Sequence, residues 1–151
     1  MANNKQIAMG KLLIIGASVL QLPAIRRAKE LGHYVAVADY NPQAVGISYT
    51  DEYFNASTID EDAICAVARE FQPNGIMTLA TDMPMRAIAK AITLLGLPGI
   101  SYETAIKATD KYRMIEAFKE HNVSAPWYYH VKSIDCLLYT SPSPRDVEES
   151  R

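Results

Sequence analysis

Lys11-Leu-Leu-Ile-Ile-Gly-Ala-Ser18 holds a short, unbroken apolar run, Leu12 to Ile15, that ends in Gly16. Strands buried on both faces read this way, because a parallel sheet sandwiched between helices offers neither face to water. The chain then changes period. Over Leu20 to Leu31, Leu22, Ile25 and Ala28 share one helical face, Pro23 sits in the tolerated first turn, and Gly32 supplies the stop. Arg26, Arg27 and Lys29 lie toward the carboxyl end, where a helix dipole favours cations. Tyr34-Val-Ala-Val-Ala38 reads as a second buried strand, closed by Asp39 and the turn-forming pair Asn41-Pro42.

Further on, an irregular stretch leads to Thr58-Ile-Asp-Glu61, which matches the capping box that opens helices. Ile64, Val67, Ala68 and Phe71 repeat at helical spacing until Pro73-Asn-Gly75 ends the run. Ile76-Met-Thr-Leu79 is a third strand. Asp82 and Pro84 start another helix, with Met85, Ile88, Ala89, Ile92 and Leu95 facing inward. This alternation predicts an α/β fold, a Rossmann-like open parallel sheet with helices on both faces. Leu97-Pro-Gly-Ile100 is expected to add a short edge segment, and Ser101 to open a capped helical turn. Thr109 to His121 is expected as a longer helix, and Ala125-Pro-Trp-Tyr-Tyr-His-Val131 as the first strand of something new.

Composition narrows the function classes. The chain has 151 residues, room for one ordinary domain and little more, and a core large enough to need no disulfide or metal. Its net charge of -2 supplies no field for nucleic acid or an anionic membrane. Cys65 and Cys136 lack CxxC spacing, which argues against a zinc cluster and fits a reducing, cytoplasmic setting. Cys65 falls in a helical pattern as a small buried hydrophobe, and the six methionines read as core filling. His33, His121 and His130 are too scattered for a metal site, and Trp127-Tyr-Tyr129 reads as strand packing.

In such a sheet, ligands bind beyond the carboxyl ends of the strands, where the strand order reverses. Three strand ends are therefore candidates. Gly16-Ala-Ser18 makes a glycine turn into a helix, with amides that can meet an anion. Asp39 ends the second strand, and Thr81-Asp82 lies just past the third. Simple helix capping by Ser18 and Asp82 is the competing explanation. Asp39 falls 23 positions after Gly16, where an NAD(P) oxidoreductase keeps its ribose-binding carboxylate. The dinucleotide pattern fails, however, because Ser18 and Gln21 stand where its later glycines belong. A third reading is a small-molecule-binding module without catalysis. In Thr109-Asp-Lys-Tyr-Arg-Met114, Lys111 falls in the first turn of a helix, where the dipole disfavours a cation by about 0.3–1 kcal/mol. A solvated surface lysine and a phosphate-facing one are both compatible with that spacing.

The string Lys11 to Ser18, then Ala28-Lys-Glu-Leu-Gly32, then Val37-Ala-Asp-Tyr-Asn-Pro42, resembles the first domain of ATP-grasp ligases. Carbamoyl-phosphate synthase-like proteins, biotin carboxylase-like proteins and amino-acid ligases belong to that superfamily. The likeness continues through Thr81-Asp82, Leu95-Gly-Leu-Pro-Gly99, Thr109-Asp-Lys111 and His121-Asn-Val-Ser-Ala-Pro126, covering residues 11 to about 133. It implies a ligase that uses ATP and Mg2+ to turn a small-molecule carboxylate, or bicarbonate, into an acyl phosphate for an amine to attack. By resemblance, Lys111 contacts the nucleotide phosphates, and Gly16, Ser18, Asp39, Thr81 and Asp82 inherit a weaker place at the non-nucleotide substrate. The family's second phosphate-binding lysine and its magnesium ligands have no counterpart in this sequence. The 151 residues alone are therefore expected to be inactive and to hold no cofactor tightly.

The organisation expected is a flexible lead-in at 1–10, a pre-ATP-grasp domain at 11–108, and the start of an ATP-grasp domain at 109–134. The remainder, 135–151, is expected to be a disordered tail, either non-native or an ordinary disordered terminus. Its Cys136-Leu-Leu-Tyr-Thr-Ser-Pro-Ser-Pro-Arg-Asp146 segment resembles translated sequencing-adaptor read-through.

Overall fold

The computed structural model describes residues 9–128, 130 and 131. The chain divides into two compact units, one ending at Asp110 and the other starting at Lys111. In the first, β1 (Lys11–Ile15) is followed by α1 (Leu22–Glu30) and β2 (Tyr34–Asp39). A 3-10 turn over Val45–Tyr49 leads to β3 (Glu52–Asn55), and then come α2 (Glu61–Phe71), β4 (Gly75–Met77), α3 (Met85–Leu95) and α4 (Tyr102–Thr109). The four strands form one parallel sheet in the order β3-β2-β1-β4. The expected α/β fold with a parallel sheet is what the chain adopts.

Alternation along the strands sorts the core into two layers. Leu13 and Ile15 of β1, Ala36 and Ala38 of β2 and Ile76 of β4 pack with Ile64, Phe71, Ile88 and Ile92 of α2 and α3. Ile14, Val35 and Val37 face the other way, toward Ile25 and Ala28 of α1. The core side chains Leu13, Ile14, Ile15, Val35 and Val37 are fully excluded from water, so each contributes about 1.5–3 kcal/mol of burial. Since α1 lies on one face and α2 and α3 on the other, the order reverses between β1 and β4. That is the switch point.

Several local expectations change. The stretch before Thr58 holds the edge strand β3, in register with β2 from Ala36↔Glu52 to Asp39↔Asn55. Its side chains are only half-buried or exposed, which removes the apolar signature. The cap of α2 is Asp60 and not Thr58: its carboxylate accepts from the amides of Asp62 and Ala63, both at 3.0 Å. The strand expected over 76–79 is the three-residue β4. Leu97 to Ile100 is a loop and not an edge strand; Gly99 passes so close to Ile92 that a Cβ would sit 2.6 Å from its Cδ1. Ser101 does cap a helix, accepting from the Thr104 amide at 3.1 Å.

In the second unit, α5 runs over Lys111–Glu120, shorter than the helix expected from Thr109 to His121. No strand forms among the described residues of 125–131, and Trp127, expected in strand packing, is 83% exposed. Tyr129 and the 135–151 tail lie outside the described residues. No helix among the described residues is long and apolar enough to cross a membrane.

Candidate functional site at the strand tips

The carboxyl ends of the strands bring Gly16, Ser18, Asp39 and Thr81 to a crevice of about 200 Å³, together with Gln21, Tyr40, Thr58 and Met83. A neighbouring hollow of about 300 Å³ takes Asp82, Arg86, Glu61, Ile59 and Thr109, and Met83 lines both. Five of the six candidate residues thus converge at the switch point. Lys111 opens α5 in the other unit, with an exposed side chain.

The tip of β1 needs its glycine. Gly16 has φ +97, a conformation that side chains rarely adopt, and its amide donates to the Ala38 carbonyl at 2.8 Å. The next amides are not free for an anion. Ala17 N–H donates to Asp39 Oδ2 at 2.7 Å and Ser18 N–H to Gln21 Oε1 at 3.2 Å. Ser18 does not cap α1, whose N-cap position is Gln21; its hydroxyl instead donates to Gln21 Oε1 at 2.6 Å and accepts from Leu20 N–H. Five residues, Ala17 to Gln21, separate Gly16 from the first residue of α1, so the glycine does not open the helix directly. Both features correct the expectation of an anion-ready glycine turn.

Asp39 is buried, 6% exposed, and spends both oxygens on backbone: Oδ2 on Ala17 and Oδ1 on the Asn41 amide at 2.9 Å. It clips the β1 and β2 tips together and leaves little capacity for a ribose hydroxyl. Tyr53 donates its hydroxyl to the Asp39 carbonyl at 3.0 Å. Burial, aided by the nearby Asp39 charge, pushes that phenol above its ordinary pKa.

At the tip of β4, Thr78 donates its hydroxyl to the Ile15 carbonyl at 2.8 Å, and Ala80 takes the left-handed φ +59. A non-glycine residue there costs about 1–2 kcal/mol, so the surroundings must hold it. Asp82 does not cap α3 with its side chain: the N-cap position is Pro84, and Asp82 contributes only its carbonyl to the Met85 amide at 3.1 Å. Its carboxylate is exposed at the hollow.

The sequence reading missed Gln21 and Arg86. Arg86 sits in the first turn of α3, which has no acidic residue, the same mismatch between cation and dipole noted for Lys111. Applied evenly, that signal finds both. Arg86 Nε donates to Thr109 Oγ1 at 2.9 Å, and Thr109 in turn donates to the Ala105 carbonyl at 2.9 Å. The guanidinium is therefore oriented from behind, at the edge of the hollow.

Across the hollow, Glu61 accepts from Tyr102 Oη at 2.8 Å and pairs with Lys90 at 3.3 Å. The bond to Glu61 raises the Tyr102 phenol, and the bond to Asp62, with Glu61 adding to it, pushes Lys90 up to about 12. Neither group titrates near neutrality, so these are fixed walls.

No protein-family model matches the chain, and a search of curated proteins finds no match. Solved structures do match. The phosphoribosylglycinamide synthetase of Anaerococcus prevotii is 29% identical over 83% of this chain and 32% of its own, with TM-score 0.74. The N5-carboxyaminoimidazole ribonucleotide synthetase of Thermotoga maritima is 23% identical over 87% and 36%, at TM-score 0.70. The L-amino acid ligase of Bacillus licheniformis is 20% identical over 93% and 41%, also at 0.70. The chain thus spans about a third to two fifths of these enzymes, and the last two likenesses speak to fold alone. By architecture, the chain has the fold of the N-terminal region of ATP-grasp ligases, the family it resembles.

Proposed function

We propose that this chain is the N-terminal part of an ATP-dependent carboxylate–amine (or bicarbonate) ligase, acting in the cytoplasm through an acyl-phosphate intermediate. One observation carries the reading: a 29% identical match at TM-score 0.74 to a synthetase, over a fold whose switch point opens beside an arginine held in place by Thr109. The non-nucleotide substrate takes the crevice. The Arg86 fork offers bidentate pairing to its carboxylate or phosphate, and exposed Asp82 accepts from an amine. Ser18 and Thr81 line the same crevice, while Gly16 and Asp39 shape it through backbone bonds.

ATP, when bound, supplies the phosphoryl group that activates the carboxylate. Lys111 fits its phosphates: the ammonium is exposed, it opens a ten-residue helix, and no acidic side chain shares that first turn. Magnesium finds no such fit, since no three His, Cys, Asp or Glu side chains gather among the described residues. The chain contributes binding and orientation, and the 151 residues alone turn over no ATP.

The test is isotopic. In the enzyme that contains this chain, carboxylate oxygens labelled with 18O should appear in the inorganic phosphate released, read by the 31P isotope shift. Product formation with unlabelled phosphate excludes the acyl phosphate.

A further inference from the structure

Gln21 and Asp39 are the buried polar side chains among the described residues. Asp39 has been accounted for; Gln21 has not. It sits at the N-cap position of α1 without capping it, and only 4% of it is exposed. Its Oε1 accepts from both the hydroxyl and the amide of Ser18, and its Nε2 donates to the Leu79 carbonyl at 2.7 Å. The bond to Leu79 ties the segment that follows β1 to the segment that follows β4, the two strands flanking the switch point, across 58 positions of sequence. The side chain also covers Gly16, where an added Cβ would meet Gln21 Cδ and Oε1, each at 3.1 Å.

Holding the Leu79 carbonyl fixes the plane of the peptide between Leu79 and Ala80. Ala80 is the residue strained to φ +59, and Thr81 and Asp82 follow it directly into the crevice and its hollow. We infer that Gln21 is a positioning residue: its amide clasps the β1 and β4 tips, holds Ala80 left-handed and so sets Thr81 for the carboxylate of a substrate and Asp82 for an amine. It also fills the approach to Gly16 that a diphosphate would use. The substrate clause rests on the ligase reading; the clasp does not.

Two variants of the 151-residue protein test it by amide NMR. Gln21→Met keeps the length and removes all three bonds. The Thr81 and Asp82 resonances should move at every pH, while those of β2 stay. Gln21→Glu keeps the Ser18 bonds and, when ionised, turns a carboxylate oxygen on the Leu79 carbonyl. Burial and that carbonyl favour the neutral acid, so the wild-type positions should return as pH falls through the raised pKa of the new carboxyl. Among the described residues Asp39 is the other buried ionisable side chain at these tips, so wild type over the same range is the reference.

In wild type itself, the Gln21 side-chain N–H groups should exchange slowly and show a coupling to the Leu79 carbonyl. Trifluoroacetate, which stays ionised throughout, serves as carboxylate probe by 19F NMR. Gln21→Met should weaken it roughly tenfold, the worth of one lost hydrogen bond. Unmoved Thr81 and Asp82 signals in folded variants, or fast exchange without coupling in wild type, overturn the clasp. Moved signals with unchanged trifluoroacetate affinity overturn the substrate clause. Trifluoroacetate leaving wild-type crevice signals untouched overturns that clause and the ligase reading's substrate site, while the clasp is decided by the amides alone.

Discussion

Replacing Asp39 with asparagine is isosteric, yet the structure makes it costly. Both carboxylate oxygens are engaged, Oδ2 by the buried Ala17 amide at 2.7 Å and Oδ1 by the Asn41 amide at 2.9 Å. Asparagine has one acceptor. It can serve one of the two amides, without charge assistance, and must turn an NH2 group toward the other. A hydrogen bond to a charged group contributes about 1.5–3 kcal/mol, so losing one and weakening its twin should cost about 2–3 kcal/mol. Asp60 supplies the control. It caps α2 with a single oxygen, Oδ1, shared by two amides, and asparagine offers the same oxygen. Asp60→Asn should therefore stay within about 0.5 kcal/mol of wild type. Urea unfolding followed by far-UV circular dichroism reads both. With slopes of about 1–3 kcal/mol/M, the Asp39 variant's midpoint should fall by roughly 1–2 M at unchanged slope. If Asp39→Asn costs no more than Asp60→Asn, the carboxylate is not holding the β1 and β2 tips. Asp39 would then be available to a ligand.

Gly46→Ala should destabilise by about 2–4 kcal/mol in the same assay, since the new Cβ would lie 2.6 Å from the Ala17 carbonyl oxygen, which the Gly46 amide meets at 2.8 Å. Ala80→Gly should stabilise by roughly 0.5 kcal/mol, the relief of left-handed strain less the entropy of the freer unfolded glycine. Asp51 is pulled in opposite directions: burial raises its pKa, but the Lys29 ammonium and the Val35 amide outweigh it and hold the carboxyl below its ordinary range. A depressed folded pKa gives stability present above pH of about 4 and lost as pH falls through the folded value. Asp51→Asn should flatten that part of the acid unfolding curve, and an unchanged curve would refute the pairing.

The parallel sheet was legible because its central strands are apolar on both faces and its helices repeat cleanly around Ile25, Ile64 and Ile88. β3 escaped because Glu52-Tyr-Phe-Asn55 lies at the edge, half-buried, and its pairing is decided by β2 and not by its own pattern. Asp60 and Thr58 are both good capping residues two positions apart, and only the backbone trajectory chooses between them. At the site, the strand-tip rule located five candidates, but not what their atoms do. Hydrogen bonds from Asp39 and Gln21 to distant backbone are tertiary, spanning 22 and 58 positions. Arg86 was the avoidable omission: its cation at a helix start is visible in sequence, as that of Lys111 is.

On the proposed reading, the nucleotide meets the Lys111 end of the chain while the glycine turn faces another substrate. Titrating ADP with magnesium onto the 15N-labelled chain tests it directly. The amides of Lys111, Tyr112 and Arg113 should shift, an effect lost in Lys111→Ala, with Gly16, Ala17 and Ser18 unmoved. Shifts centred on Gly16, Ser18 and Asp39, and indifferent to Lys111→Ala, would contradict it.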